Sequence, residues 1–157
     1  MIRPATPDDA AAIAEIWNQI IRDTVATFTT AEKSVTDLVQ AMQTGQPFFV
    51  AEADQQIIGF ATYFAFRGGP GYAHTKEHTI QLAPQARGKG VGRGLMDAVE
   101  THARDAGVHT IWAGVSGENP DGRAFHAALG YEEIATLPEV GRKFNRWMDL
   151  ILMRKLL

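Results

Sequence analysis

The most restrictive feature of the sequence is a glycine-rich segment that joins a predicted strand to a predicted helix. Residues 76–83 alternate as a strand does, Arg87–Gly92 reads Arg-Gly-Lys-Gly-Val-Gly, and an apolar stripe at helical spacing then runs from Val91 to Ala103. A loop in this position directs several backbone N–H groups to one point, where the positive end of the helix dipole adds to their field. The segment therefore predicts a phosphate-binding loop.

The spacing of these glycines excludes two familiar nucleotide loops. A dinucleotide fingerprint needs another glycine three residues after Gly92, where Leu95 stands. A P-loop needs Ser or Thr after its Gly-Lys pair, where Gly90 follows Lys89. NAD and ATP are therefore disfavoured as the phosphate ligand.

Size and composition narrow the class of protein further. The chain has 157 residues, which corresponds to one domain, and we assign residues 1–157 to it. A net charge of −3 argues against nucleic-acid binding, and the absence of cysteine excludes disulfides, thiolate metal sites and a cysteine nucleophile. We expect no metal, because no metal-ligand spacing beyond the adjacent Glu77-His78 is found for His74, His78, His102 and His109. The longest mostly apolar run, Ile57–Phe66, is too short to span a bilayer, and we expect a cytoplasmic protein without a membrane partner.

The order of predicted elements indicates the α/β class. Helix starts are marked by Thr6-Pro7, Ser34 and Asn119-Pro120, and helix ends by Gly107 and Gly130. These elements predict a mixed sheet of about seven strands flanked by helices. In chain order they are a strand at 2–5, helices at 6–22 and 34–45, strands at 48–53, 57–66 and 76–83, a helix at 91–106, a strand at 108–115, a helix at 119–129, and strands at 131–137 and 147–156.

The Arg-x-x-Gly-x-Gly pattern of Arg87–Gly92 resembles the acetyl-CoA pyrophosphate loop of the GNAT superfamily of N-acetyltransferases. The order of elements along the whole chain also matches that superfamily. The resemblance implies a single-domain GNAT fold with a mixed, mostly antiparallel sheet, and acetyl-CoA as co-substrate. It also implies cofactor contacts from the following residues: Leu82, Ala83, Arg87, Gly88, Lys89, Gly90, Val91, Gly92, Arg93 and Asn119.

Within the superfamily, three segments resemble the phosphinothricin and methionine sulfone or sulfoximine acetyltransferase group. They are 18–28, 75–80 and 140–150. The chain departs from that group at Asn145, where glycine is usual, and at Phe66, where tryptophan is usual. The resemblance implies transfer of an acetyl group to the amino group of a small amino-acid-like acceptor, and a homodimer.

Two residues are candidates for proton transfer. An amine attacks a thioester only when it is neutral, so a base must take a proton, and Glu77 lies on the strand before the glycine loop, where the resembled group has its base. The alternative is a solvated strand carboxylate. His126 occupies the position where many superfamily members have a tyrosine that protonates the departing thiolate. The alternative for His126 is a packed helix residue.

Candidates for the acceptor pocket are aromatic side chains that could form its walls and arginines that could bind a carboxylate in bidentate fashion. The basic loops that carry Arg67 and Arg146 favour an anionic acceptor over a polyamine or an aminoglycoside. Two alternatives stay open: another amine, such as a polyamine, an aminoglycoside or a protein N-terminus, and a CoA-binding sensor without turnover. The pocket candidates are Phe28, Arg67, Tyr72, Arg146 and Trp147.

Overall fold

The computed structural model describes all 157 residues, which form seven β-strands and four α-helices. The strands are β1 (Ile2–Pro4), β2 (Phe48–Ala53), β3 (Gln56–Ala65), β4 (Thr75–Leu82), β5 (Thr110–Ser116), β6 (Glu132–Lys143) and β7 (Arg146–Leu156). The helices are α1 (Ala10–Asp23), α2 (Val35–Gln43), α3 (Val91–Asp105) and α4 (Pro120–Ala128). The predicted α/β architecture is confirmed. Residues 7–9, which were predicted to begin the first helix, form a separate 3₁₀ turn before α1.

All seven strands belong to one mixed sheet in the order β1-β2-β3-β4-β5-β7-β6. Every neighbouring pair is antiparallel except β4 and β5, which run parallel. The parallel pairing extends over three residue pairs and ends at Glu77 and Trp112, although β4 continues to Leu82 and β5 to Ser116. The two strands therefore separate beyond Glu77 and leave a gap in the middle of the sheet.

Helices cover both faces of the sheet because strand side chains alternate between the faces. On β2, Phe49 belongs to the apolar cluster that contains α3, whereas Phe48 and Val50 belong to the cluster that contains α1 and α2. Leu95 of α3 and Ile13 of α1 are fully buried. Burial of one such side chain contributes roughly 1.5–3 kcal/mol. The sheet is therefore held between two apolar layers.

No helix combines the length and apolar character that crossing a membrane requires.

The last hairpin is longer than predicted. The sequence predicted a strand that ends at Leu137, but β6 continues to Lys143 and joins β7 through the two-residue turn of Phe144 and Asn145. Two register shifts interrupt the β6–β7 pairing, and Pro138 lies at the second one. β6 is the edge strand, where a proline without an N–H is tolerated. The φ of Asn145 is +60°, a conformation that asparagine adopts more readily than most residues and that explains its place at a turn.

Candidate active site

A cavity of about 1210 Å³ occupies the gap between β4 and β5. It is larger than the roughly 300–1,000 Å³ of a typical small-molecule pocket. Arg87 and Gly88 line it on the side of the glycine loop, and the segment Thr24–Thr29, called here the 24–29 loop, also forms part of its wall. The remaining walls come mainly from both separated strands and from α4 with its cap, and β7 contributes one residue. They include Glu77, Thr79, Gln81, Gly114, Ser116, Asn119, Phe125, His126 and Leu150.

Glu77 lies where the gap begins, and its side chain reaches across to β5. A Cβ atom on Gly114 of β5 would be in ordinary contact with the Glu77 Oε2 atom, at 3.7 Å, so the carboxylate lies close to the β5 backbone. Glu77 is partly buried and takes part in no ion pair. Burial raises the pKa of Glu77 above its ordinary value, because removal of water disfavours the charged form. Glu77 is therefore a better proton acceptor than an exposed glutamate.

His126 is buried and forms a hydrogen-bonded pair with His78 of β4. Their Nε2 atoms are 3.1 Å apart, and the two rings stack with centroids 5.0 Å apart. The Nδ1 atom of His126 is 2.7 Å from the carbonyl oxygen of Gly122, one turn earlier in α4. Burial lowers the pKa of both rings, that of His78 to about 3, with the neighbouring His126 as a second cause for His78. Both rings are therefore neutral at physiological pH.

The partners of this pair define where its protons lie. A carbonyl oxygen can only accept, so Nδ1 of His126 carries the proton that bonds to Gly122. In a neutral His126 the Nε2 atom is then an acceptor, and Nε2 of His78 donates to it. The Nδ1 atom of His78 is left buried without a hydrogen-bond partner. To donate a proton into the cavity from Nε2, His126 would have to gain one there and give up the hydrogen bond that it accepts from His78.

The glycine loop has the backbone geometry that an anion site requires. Gly88 and Gly90 have φ values of +73° and +78°, which side chains disfavour, and no atom lies near the positions of their missing Cβ atoms. Gly92 has a different role, because a Cβ atom there would lie 2.8 Å from the Phe125 ring. The amides of Val91 and Gly92, at the start of α3, have no carbonyl one turn earlier to bond. The loop can therefore direct free N–H groups at a phosphate.

The predicted cofactor residues fall into two sets. Leu82, Arg87, Gly88 and Asn119 line the cavity. Ala83 is buried at the end of β4, and Lys89, Gly90, Val91, Gly92 and Arg93 continue the glycine loop into α3 without lining the cavity.

Asn119 has the capping role that its position before Pro120 predicts. Its side-chain oxygen accepts a hydrogen bond of 3.0 Å from the amide of Gly122. A Cβ atom on Gly122 would lie 2.5 Å from Asn119 Nδ2, so glycine is required for the asparagine amide to lie against the helix. Asn119 also lines the cavity. One residue thus caps α4 and presents an amide group to the site.

The predicted acceptor residues are divided by the structure. Phe28 lines the cavity, whereas the other four side chains are exposed and lie outside its lining. Arg146 is paired with Glu118, which does line the cavity, at an N–O distance of 2.6 Å. The Arg67 guanidinium lies 5.8 Å from the centre of the Tyr72 ring, on the segment between β3 and β4. Trp147 is 55% exposed at the β6–β7 turn.

Several residues at the site carried no sequence signal for it. His78 was assigned to one face of β4, but nothing in the sequence pairs it with His126, because the two are 48 residues apart. The sequence also did not predict a role at the site for Gly141 and Lys143 of β6, which contact the 24–29 loop. The β-branched character of residues 24–30 was the one available signal, since it predicted an extended loop of the kind that lines sites. The structure contains no group of three or more side chains suited to hold a metal ion.

Comparison with known proteins identifies the class. Residues 13–131 match the model of the acetyltransferase (GNAT) family. The chain is 35% identical to the L-amino acid N-acyltransferase MnaT of Escherichia coli K12, over 98% of this chain and 91% of that protein. It is 34% identical to an L-methionine sulfoximine/L-methionine sulfone acetyltransferase of Salmonella typhimurium, over 98% and 92%. The chain belongs to the acetyltransferase (GNAT) family.

Solved structures agree in fold along the whole chain. A ribosomal-protein-alanine N-acetyltransferase from Brucella melitensis superimposes with a TM-score of 0.94 at 36% identity, covering 100% of this chain and 99% of that one. A phosphinothricin acetyltransferase from Sinorhizobium meliloti, in complex with acetyl-CoA, also gives 0.94, at 31% identity and 100% and 88% coverage. The predicted GNAT fold is therefore confirmed.

Proposed function

We propose that this enzyme transfers the acetyl group of acetyl-CoA to the amino group of a small amino-acid-like acceptor, of the phosphinothricin, methionine sulfoximine or methionine sulfone type. One observation carries the proposal: a partly buried carboxylate, Glu77, lies without an ionic partner in a cavity that extends from the glycine loop to the 24–29 loop. The cavity has room for a cofactor arm and a small acceptor together. The names of the related L-amino acid and methionine sulfoximine enzymes support this acceptor class.

The cofactor half of the proposal depends on the fit of the glycine loop. Gly88 and Gly90 have positive φ and open space beside them, and the free amides at the start of α3, with the helix dipole behind them, would face a bound anion. Arg87 adds a positive side chain at the same end of the cavity. These groups would hold the pyrophosphate of acetyl-CoA, Leu82 would bond the pantetheine arm through its backbone, and Asn119 would contact the arm with its side chain. The predicted backbone contact of Ala83 is not available from its N–H, because that group donates to the Ile58 carbonyl oxygen in the sheet. Acetyl-CoA bound in a related structure supports the assignment.

The chemical step needs one base and no covalent enzyme intermediate. Glu77 accepts a proton from the acceptor ammonium or attacking amine, directly or through water, and the neutral nitrogen forms a C–N bond as the C–S bond of the thioester breaks. The electron pair of that bond leaves with the CoA sulfur. A thiol has an ordinary pKa near 8.5, so the departing thiolate needs only a weak proton donor. Water supplies that proton, or His126 does after it has gained one at Nε2. The chain has no cysteine that could carry the acetyl group between the two substrates.

Phe28, Phe64 and Leu150 contribute apolar side chains to the cavity wall, and we place the acceptor beside Phe28. Such walls suit a short side chain better than an extended polycation. The two arginines predicted to bind the acceptor carboxylate are exposed and do not line the cavity, and the Arg146 guanidinium is already bonded through two nitrogen atoms to Glu118. Arg67 and Arg146 stay candidates for that contact only if the bound acceptor extends to the cavity mouth. A protein N-terminus is the second candidate acceptor, because the Brucella melitensis structure with 36% identity is named a ribosomal-protein-alanine N-acetyltransferase.

A homodimer and a cytoplasmic location belong to the same proposal. Phe144 and Trp147 expose large apolar surfaces at the β6–β7 turn, which is the kind of patch that a second copy covers. Light scattering after size-exclusion chromatography tests the dimer. The cytoplasmic location follows from the co-substrate, since acetyl-CoA is an intracellular metabolite.

A comparison of acceptors tests the function. Release of free thiol from acetyl-CoA is measured with phosphinothricin, methionine sulfoximine, methionine sulfone, spermidine, an aminoglycoside and a peptide that begins with alanine, all at equal concentration. We expect the highest kcat/KM for one of the first three. A higher value for the peptide, spermidine or the aminoglycoside would refute the acceptor class. Tight acetyl-CoA binding with no thiol release for any acceptor would show a sensor instead of an enzyme.

A further inference from the structure

Lys143, near the end of β6, is a buried cation that no carboxylate neutralises. Its residue is 3% exposed, and it takes part in none of the ion pairs of the structure. Burial lowers the pKa of its ammonium group. Burying a charge without a counterion is costly, and such groups persist where their hydrogen bonds are fully used.

All the hydrogen bonds of the Lys143 ammonium group go to Thr24 and Thr27 of the 24–29 loop. Its Nζ atom lies 2.7 Å from the carbonyl oxygen of Thr24, 2.9 Å from that of Thr27 and 3.2 Å from Thr27 Oγ1. These contacts use the three donors of an ammonium group. Thr24 is also the C-cap of α1, so the positive charge lies at the negative end of that helix dipole. Lys143 therefore ties the loop to a strand more than 110 residues later in the chain.

Gly141 supports the same loop from the same strand. A Cβ atom on Gly141 would lie 2.3–2.6 Å from three atoms of the Phe28 ring, so the ring occupies the space that any other side chain would need. Gly141 and Lys143 are two residues apart and both buried, whereas Arg142 between them is exposed, as strand alternation requires. The β6 strand thus holds the 24–29 loop at two points, the backbone of Thr24 and Thr27 and the ring of Phe28.

The loop that these contacts hold is a wall of the cavity and not part of the core. All six of its residues line the cavity, and none of them belongs to either apolar cluster that holds the sheet. A contact that served only global stability would be expected to join core elements. The contacts of Lys143 instead order a segment whose position matters to whatever binds in the cavity.

We propose that Lys143 and Gly141 are positioning residues that set acceptor specificity, because they fix where the 24–29 loop and the Phe28 ring lie. This inference rests on the proposed function, which places the acceptor at that end of the cavity. Lys143 acts through the loop and does not itself line the cavity. A change at either residue therefore alters acceptor binding while the glycine loop, at the other end, keeps its hold on acetyl-CoA.

Steady-state kinetics of Lys143→Met, with Lys143→Arg and Arg142→Met as matched variants, test the proposal. Methionine keeps the apolar stem and removes the ammonium donors. We expect Lys143→Met to raise the acceptor KM about tenfold or more and to change the acetyl-CoA KM less than about twofold. Lys143→Arg keeps the charge and should recover part of the loss. Arg142→Met, on the exposed face of the same strand, should match the wild type. An unchanged acceptor KM in Lys143→Met would overturn the inference.

Gly141→Ala gives an independent variant, because its added methyl group displaces the Phe28 ring. We expect it to change the ratio of kcat/KM between long and short amino-acid acceptors at least fivefold, with the longer ones losing more. An unaltered ratio would show that the ring position does not set specificity.

Hydrogen–deuterium exchange separates the inference from the proposed function. Peptides covering residues 24–29 should exchange faster in Lys143→Met than in the wild type, while peptides from β5 should not change. Equal exchange in the loop would show that Lys143 does not hold it. If the wild type acetylates no acceptor, the proposed function fails, and this measurement still decides whether Lys143 orders the cavity wall.

Discussion

Glu77 on β4 and Trp112 on β5 form the last of three parallel backbone pairs before the two strands separate. This relationship places a carboxylate at the closed end of the gap, where part of its water shell is removed but the cavity remains accessible. The removed water raises the pKa of Glu77. The separation of β4 from β5 therefore creates the cavity and also raises the pKa of the group proposed to act as the base.

Replacement of Glu77 by glutamine should lower turnover most at neutral pH. Loss of a general base typically lowers turnover about 100-fold or more. The difference between variant and wild type should narrow at high pH, where the acceptor amine is neutral without a base. Wild-type kcat/KM should fall on the acid side as the raised pKa of Glu77 is passed. The pH profiles of both proteins provide the measurement, with the exposed Glu132→Gln as a control. A constant ratio between the profiles would assign Glu77 a positioning role.

The same variant should be no less stable than the wild type at neutral pH. Because the folded state raises the pKa of Glu77, the native protein binds this proton more tightly than the unfolded chain does. The free energy of unfolding therefore decreases as pH rises from the ordinary glutamate pKa through the raised one. Glutamine does not ionise, so Glu77→Gln does not undergo this decrease in the free energy of unfolding. Its Tm should equal or exceed that of the wild type at pH 7, and any difference in Tm should become smaller near pH 4. A lower Tm at pH 7 would contradict the burial argument.

The His78–His126 pair should make the fold sensitive to acid. Both pKa values are lowered in the folded state, that of His78 to about 3, so the unfolded chain binds more protons below the ordinary histidine pKa near 6.5. Stability is complete above that pH and is lost as pH falls toward 3, with a slope of up to about 1.4 kcal/mol per pH unit for each ring. Urea titrations between pH 7 and 4 measure this slope. His78→Phe should reduce it by about one proton, and an unchanged slope in that variant would contradict the role of the pair.

The glycine loop predicts a loss of cofactor affinity when Gly90 is replaced by valine. The φ of +78° is strained for a β-branched residue by about 1–3 kcal/mol, and the new side chain would enter the space beside the loop. Gly107→Val is a matched control. Gly107 has a φ of +82° and open surroundings, as Gly90 does, but it lies after the other end of α3. Calorimetric titration with acetyl-CoA should show at least about tenfold weaker binding for Gly90→Val only. Equal affinities in two folded variants would show that the loop does not bind the cofactor.

The sequence by itself determined the α/β architecture and the position of the glycine loop, because both depend on local patterns. Apolar spacing along α1 and α3, and the strand boundaries of Phe48–Ala53, can be read within a window of a few residues. Helix starts at Ser34 and Asn119 are equally local, since each cap bonds an amide three residues later. The catalytic candidate Glu77 was predicted because the resembled group has its base on the strand before the loop.

The tertiary structure alone decided how these parts form a site. Three contacts of the site join residues that are 35 to 119 positions apart. They are the last β4–β5 pair at Glu77, the bond between His78 and His126, and the bond from Lys143 to Thr24. No local pattern carries such contacts, because strand register and side-chain partners depend on how the whole sheet twists and packs. For the same reason the sequence could nominate Arg67 and Trp147 for the acceptor, but only the fold shows them exposed and places Phe28 in the cavity wall.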